Sequence, residues 1–176
     1  ICRLNPDNGK AGDSVSIVGE NFGSRADKGT IIFSDNKIVS TVTNWADTTI
    51  TVRAPVGLKT GPVKIAVNFG NGPIESNGVN FGANPFITSV TPATGPTGTW
   101  VTVRGGNFGS GTGAVSFAGP NSTRIPAASL PNFCTNFWND TEIIAVIPAG
   151  GVTGLVKVIT KANVSTTDNF TQTFTY

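Results

Sequence analysis

The sequence predicts an all-β protein made of two tandem β-sandwich domains. Three observations carry that prediction. The chain repeats itself once. Apolar and polar residues alternate over many short windows. Gly and Pro punctuate those windows every 8–12 residues or so.

The repeat is read directly from the residues. Asn5-Pro6-Asp7-Asn8-Gly9-Lys10-Ala11-Gly12 returns as Thr91-Pro92-Ala93-Thr94-Gly95-Pro96-Thr97-Gly98. Val15-Ser16-Ile17-Val18-Gly19-Glu20-Asn21-Phe22-Gly23 returns as Val101-Thr102-Val103-Arg104-Gly105-Gly106-Asn107-Phe108-Gly109, at the same offset of 86. Phe33 then matches Phe117 at 84, whereas Trp45, Asp47, Ile50, Pro55, Gly57, Gly61 and Val63 match Trp138, Asp140, Ile143, Pro148, Gly150, Gly154 and Val156 at 93. About nine residues are therefore inserted in the second repeat, near 119–137. The expected domains are 1–85 and 86–176, joined near Asn84-Pro85-Phe86. So short a join, containing a proline, predicts a semi-rigid tandem.

Within each repeat the alternation has period two. It runs through Val15/Ile17, Ile50/Val52 and Val63/Ile65/Val67, then Val101/Val103, Ile143/Ala145/Ile147 and Val156/Val158. Alternation of this kind places successive side chains on opposite faces of a half-buried strand. The final Asn169–Tyr176 segment alternates too, and reads as the last strand. Many short strands in fewer than 100 residues, with no helical pattern, favour a two-sheet sandwich of immunoglobulin type. Gly9 and Gly12, like Gly95 and Gly98, are expected to supply positive φ in the first turn. Phe22 and Phe108 are expected core anchors, and Trp45 and Trp138 expected core or near-core residues.

The ordered set Pro-x-x-Gly-x-x-Gly, Val-x-Ile/Val-x-Gly-x-Asn-Phe-Gly, β-Phe, Trp-x-Asp-x-x-Ile, Pro-x-Gly and Gly-x-Val-x-Ile/Val resembles the IPT/TIG domain, twice over nearly the whole chain. The resemblance implies an early-set immunoglobulin-like fold. Such domains occur in receptor ectodomains, transcription factors, starch-active enzymes and long bacterial surface proteins, so fold and function are loosely coupled.

Composition narrows the function. Net charge is +2 and charged residues are 12% of the chain, about half the usual share. Thr, Asn, Ser and Gly supply 75 of 176 residues, a pattern that suggests an extracellular β-protein. Scattered charge gives no basic stripe, so no nucleic-acid partner is expected. No run approaches the ~18 apolar residues of a membrane span. No signal peptide is read, because Ile1 already begins a patterned segment, and a mature form or excised fragment is expected. There is no His and no Met. That removes the commonest general base and metal ligand; no enzyme activity, cofactor or metal is expected. The acidic residues show no calcium-loop spacing, and Asp47 and Asp140 read as local turn caps.

Trp100 stands where the first repeat has Ser14. If Val101 and Val103 face inward, Trp100, Thr102 and Arg104 face outward. Trp100 then either covers a loop of its own domain or makes a domain-domain, subunit-subunit or glycan contact, with Arg104 beside it. Cys2 and Cys134 lie in different repeats and could link chains head to tail, link the two repeats, or remain thiols. Asn-x-Ser/Thr occurs at Asn121, Asn139, Asn163 and Asn169, where a glycosylating source could modify exposed loops. Together these residues suggest a non-enzymatic structural or adhesive module of a microbial surface or filament protein. Its expected partners are other copies, through head-to-tail or edge-strand contacts, or other surface proteins, with glycans as a further candidate. The alternative is a carbohydrate-binding accessory module of a polysaccharide-active enzyme, which needs an exposed aromatic platform.

Overall fold

Alternating strands have one face to cover, and in this chain each repeat covers its own. The computed structural model describes residues 1–24, 29–34, 36–39, 41–68, 70, 72–131, 137–162, 164–166 and 173–176. The chain divides into two units, Ile1–Ala83 and Asn84–Tyr176. Each is an immunoglobulin-like sandwich with its own core.

In domain one the strands are β1 (Arg3–Asn5), β2 (Asn8–Gly9), β3 (Ser14–Val18), β4 (Gly29–Phe33), β5 (Lys37–Ile38), β6 (Val42–Trp45), β7 (Thr49–Arg53), β8 (Gly61–Asn68), β9 (Pro73–Glu75) and β10 (Val79–Ala83). One sheet has the order β1-β3-β7-β6; the other runs β2-β10-β8-β4-β5, with β9 also on β8. Within the first sheet Val15 pairs with Val52 and Ile17 with Ile50. These four side chains, Ile31 and Phe33 of β4, Val63 and Ile65 of β8 and Phe81 of β10 are buried in one cluster. Phe33 and Phe81 meet edge to face at 5.5 Å, the arrangement that aromatic quadrupoles favour.

Domain two contains β11 (Phe86–Thr91), β12 (Trp100–Gly106), β13 (Ala114–Ala118), β14 (Arg124–Pro126), β15 (Glu142–Val146), β16 (Gly154–Leu155), β17 (Lys157–Ile159) and β18 (Thr173–Phe174). Its sheets are β11-β12-β15 and β14-β13-β17, with β16 paired to β18. Val101, Val103, Phe108, Phe117, Ile143, Ile147, Val156, Val158 and Phe174 form the second buried cluster. The repeat-two insertion is split by the fold. Thr41 lies eight positions after Phe33, whereas Ala128 lies eleven after Phe117; Trp45 lies four positions after Thr41, whereas Trp138 lies ten after Ala128. The anchors for this count are the bond from Arg53 N–H to Thr41 and the bridges Ala128–Val146 and Trp138–Ile143. The earlier addition includes a 3-10 turn at Pro120–Ser122.

The first turn of each repeat corrects one expectation. Gly12 and Gly98 have φ of 87° and 86°, but Gly9 and Gly95 do not have positive φ. Those two positions need a small residue instead. A Cβ on Gly9 would lie 2.8 Å from an Asp13 carboxylate oxygen, and one on Gly95 would lie 2.6 Å from the Thr99 hydroxyl. Outside glycine, the left-handed position that recurs in both repeats is Asn21 and Asn107, with φ of 60° and 59°; Asn36, Asn121 and Ser122 are left-handed in one repeat each. Asn tolerates that region better than most side chains.

Two separate cores predict separable damage. Phe33→Ala should destabilise domain one, and Phe117→Ala domain two, each by about 3–5 kcal/mol. Gly105→Ala should destabilise only domain two, by about 1–3 kcal/mol, because its Cβ would overlap the Phe86 carbonyl oxygen. Denaturant unfolding followed by NMR resonances of each domain checks the assignment.

Candidate functional site

The repeated polar motif builds a clamp in each domain. In domain one the Trp45 indole N–H donates to the carbonyls of Phe22 and Gly23, at 3.2 Å each. The Asp47 carboxylate accepts from the Gly23 N–H at 2.9 Å, and its carbonyl accepts from the Phe22 N–H at 3.0 Å. Domain two repeats the pattern. Trp138 N–H donates to Phe108 at 3.2 Å, Gly109 N–H donates to the Asp140 carboxylate at 2.9 Å, and Phe108 N–H to the Asp140 carbonyl at 3.1 Å. Both Trp residues are partly buried against their cores. The two Asp side chains are thus long-range tethers rather than local caps. Sequence spacing within one turn could not reveal partners 24 and 31 residues away.

Trp100 differs from these two in every respect. It is 46% exposed. Among the described residues its indole N–H has no hydrogen-bond partner. Val101 and Val103 of the same strand are buried, while Trp100 and Arg104 are exposed and Thr102 is half-buried. Trp100, Thr102 and Arg104 stand directly opposite Val146, Ile144 and Glu142 of β15. The Arg104 Nε donates to the Glu142 carboxylate at 2.9 Å. On the other side, Ser89 and Thr91 of β11 pair with Arg104 and Thr102. Val146 is only 7% exposed yet lies outside the core cluster, and its direct cross-strand neighbour is Trp100. Directly opposite residues have neighbouring side chains, so Val146 is an apolar neighbour beside the indole.

The edge of β15 carries a second feature. In domain one β6 pairs along β7 from Val42 to Trp45. In domain two the pairing seen among the described residues is the bridges at Ala128 and Trp138 and the Ile144 N–H to Phe137 carbonyl bond. A groove of about 590 Å³ lies there, lined by Pro126, Leu130, Phe137, Trp138 and Ile144 among others, with no charged side chain among its described lining residues. Domain one presents exposed apolar residues that the sequence reading did not single out. Val56, at a turn closed by Gly57, is 86% exposed, and Ile74 on the edge strand β9 is 62% exposed.

The family profile of the IPT/TIG domain matches residues 1–82 and again residues 85–176. The chain belongs to the IPT/TIG family. No curated protein matches the sequence. Similar solved structures include one determined with a xylogluco-oligosaccharide (19% identity, 99% of this chain and 40% of that one, TM-score 0.42). A surface glycan-binding protein from Prevotella bryantii matches at 17% identity over 96% of this chain and 37% of that one, with a TM-score of 0.41. The plexin A4 extracellular region matches at 16% over 96% of this chain and 15% of that one, with a TM-score of 0.36. The chain spans less than half the length of each of these structures.

The remaining sequence candidates fall at scattered places in the IPT/TIG pair. Cys2 is exposed as a thiol, and Cys134 lies outside the described residues. Asn121 is exposed in the 3-10 turn, and Asn139 is exposed with its carboxamide oxygen accepting from Thr141 and Glu142 N–H groups. Asn163 and Asn169 also lie outside the described residues. Among the described residues no group of three metal-ligating side chains converges, and no helix is long and apolar enough to cross a membrane.

Two predictions follow from these placements. Asp140→Ala should lower domain-two stability by about 1 kcal/mol through loss of the Gly109 tether, whereas Arg104→Ala should change it by less than about 0.5 kcal/mol, as exposed pairs do. Thermal melts compare the two. The hydroxyl of Tyr176 donates to the Pro148 carbonyl at 2.6 Å, and burial pushes its pKa above the ordinary 10.0. The folded state therefore favours the neutral phenol. Its contribution is fully present below the unfolded-state pKa and is lost as pH rises through the folded one. As Tyr176 is the chain's single tyrosine, absorbance titration should show one phenol with a midpoint above 10, falling towards 10 on unfolding.

Proposed function

We propose that this IPT/TIG pair is a non-enzymatic extracellular module of a microbial surface or filament protein, with a structural and adhesive role. The observation that supports this most is how the repeated motif is used. In both domains its Phe packs in the core, its Trp donates to a loop carbonyl, and its Asp holds the same loop. The side chains that recur are fold-holding in each repeat, and the differences between repeats lie on outer faces and edges. Low charge, abundant Thr and Asn and the lack of His fit a contact role better than acid–base chemistry. Partners are then other copies of the chain or other surface molecules, met through sheet faces, edges and loops.

Electron microscopy of unreduced material, run beside reducing and non-reducing gels, tests the assembly part. Regular fibres, or a covalent ladder abolished by Cys2→Ser or Cys134→Ser, support a filament subunit. A monodisperse monomer in both gels removes self-assembly and leaves adhesion. Turnover of any polysaccharide or peptide by the purified chain would overturn the non-enzymatic reading.

A further inference from the structure

The two repeats are internal controls for one another, and they differ most tellingly on one sheet face. In domain one the outward positions of β3 are Ser14, Ser16 and Val18, opposite Arg53, Thr51 and Thr49. The matching positions in domain two are Trp100, Thr102 and Arg104, opposite Val146, Ile144 and Glu142. The same backbone serves both, so the fold does not require an indole or an Arg–Glu pair here.

We propose that this face of domain two, from Trp100 to the Arg104–Glu142 pair, is a docking platform for a neutral polysaccharide. Four features select that occupant. First, the indole is 46% exposed, rests beside an apolar Val146 and has a free N–H among the described residues. An indole face attracts the C–H side of a sugar ring, because its quadrupole is negative there. Second, Trp100 and Arg104 are four strand residues apart, about 13 Å, which suits a short run of sugar rings rather than one. Third, the face carries no net charge. Arg104 and Glu142 neutralise each other at 2.9 Å, and Ser89, Thr91, Thr102, Ile144 and Val146 add none. Among the described residues only the guanidinium Nε is engaged in that pair. The remaining N–H groups and the second carboxylate oxygen can bond adjacent hydroxyls, and charged partners strengthen such bonds. Fourth, the face is small. Three strands about 4.8 Å apart and five residues at about 3.3 Å enclose on the order of 130 Å². A stable protein interface needs about 800 Å² from each partner, so a second copy docked on this face alone would be held poorly.

The platform goes beyond the surface-module reading, and the two fail separately. The test is native affinity electrophoresis of the 176-residue chain in gels cast with xyloglucan, mixed-linkage β-glucan, galactomannan or the anionic polygalacturonate. The expected result is retardation in at least one neutral gel. Trp100→Ala should weaken it tenfold or more, Trp100→Phe should keep part of it, and Arg104→Ala should weaken it severalfold while melting as the parent does. Failure of all three neutral polymers to retard the chain overturns the proposal. So does retardation that Trp100→Ala and Arg104→Ala both leave unchanged, or retention by polygalacturonate alone. Sedimentation supplies a further outcome: a dimer that Trp100→Ala disperses would assign the face to a second copy instead. None of these negative results touches the structural role of the tandem.

Discussion

Each sandwich depends on a tether between the loop after its second strand and the turn that follows its Trp. The loop must reverse direction immediately after burying a Phe, which leaves backbone N–H and C=O groups without strand partners. Buried backbone groups cannot stay unpaired cheaply. The Trp indole takes the carbonyls, while the Asp carboxylate and carbonyl take the amides. Asn21 and Asn107 adopt positive φ at this reversal, directly before the buried Phe and the Gly that donates to the Asp. One sheet edge, one loop and the core are thereby fixed relative to each other. The Trp–Phe carbonyl bond and both Asp contacts recur in domain two within about a tenth of an ångström, while the second indole bond, to Gly23, belongs to domain one.

Fixing the frame frees the outer surfaces to diverge. The second repeat adds residues both before and after Ala128, and among the described residues β15 is bridged at Ala128 and Trp138 where β7 pairs with β6. The core does not register the added residues. Ile143 and Ala145 stay buried. A sandwich tolerates such additions because loops run over its surface and their length enters stability only weakly. The outer face of β12 diverges in a different way, by substitution without insertion. A strand that must bury only every second residue leaves the alternate positions open to contact chemistry.

Much of this was legible in the residues. Period-two alternation placed Val15, Ile17, Val101 and Val103 in the cores and Trp100 and Arg104 outside, because side-chain direction along a strand is a local property. The repeat offset located the insertion. Gly9 and Gly95 were legible as special but not for the right reason. Whether a glycine serves conformation or space depends on neighbours such as Phe81 and Thr99, which the local pattern does not show.

The residues alone establish a tandem of two all-β IPT/TIG domains, the strand faces that are buried, and a surface chemistry low in charge and free of His. Those are consequences of periodicity, repetition and composition, all of which survive without coordinates. That Asp47 and Asp140 reach across 24 and 31 residues to hold a loop follows from the fold alone. It alone placed Arg104 against Glu142 beside a Trp100 whose indole is half open. Strand pairing brings together residues remote along the chain, and register, unlike alternation, is set by which strands meet.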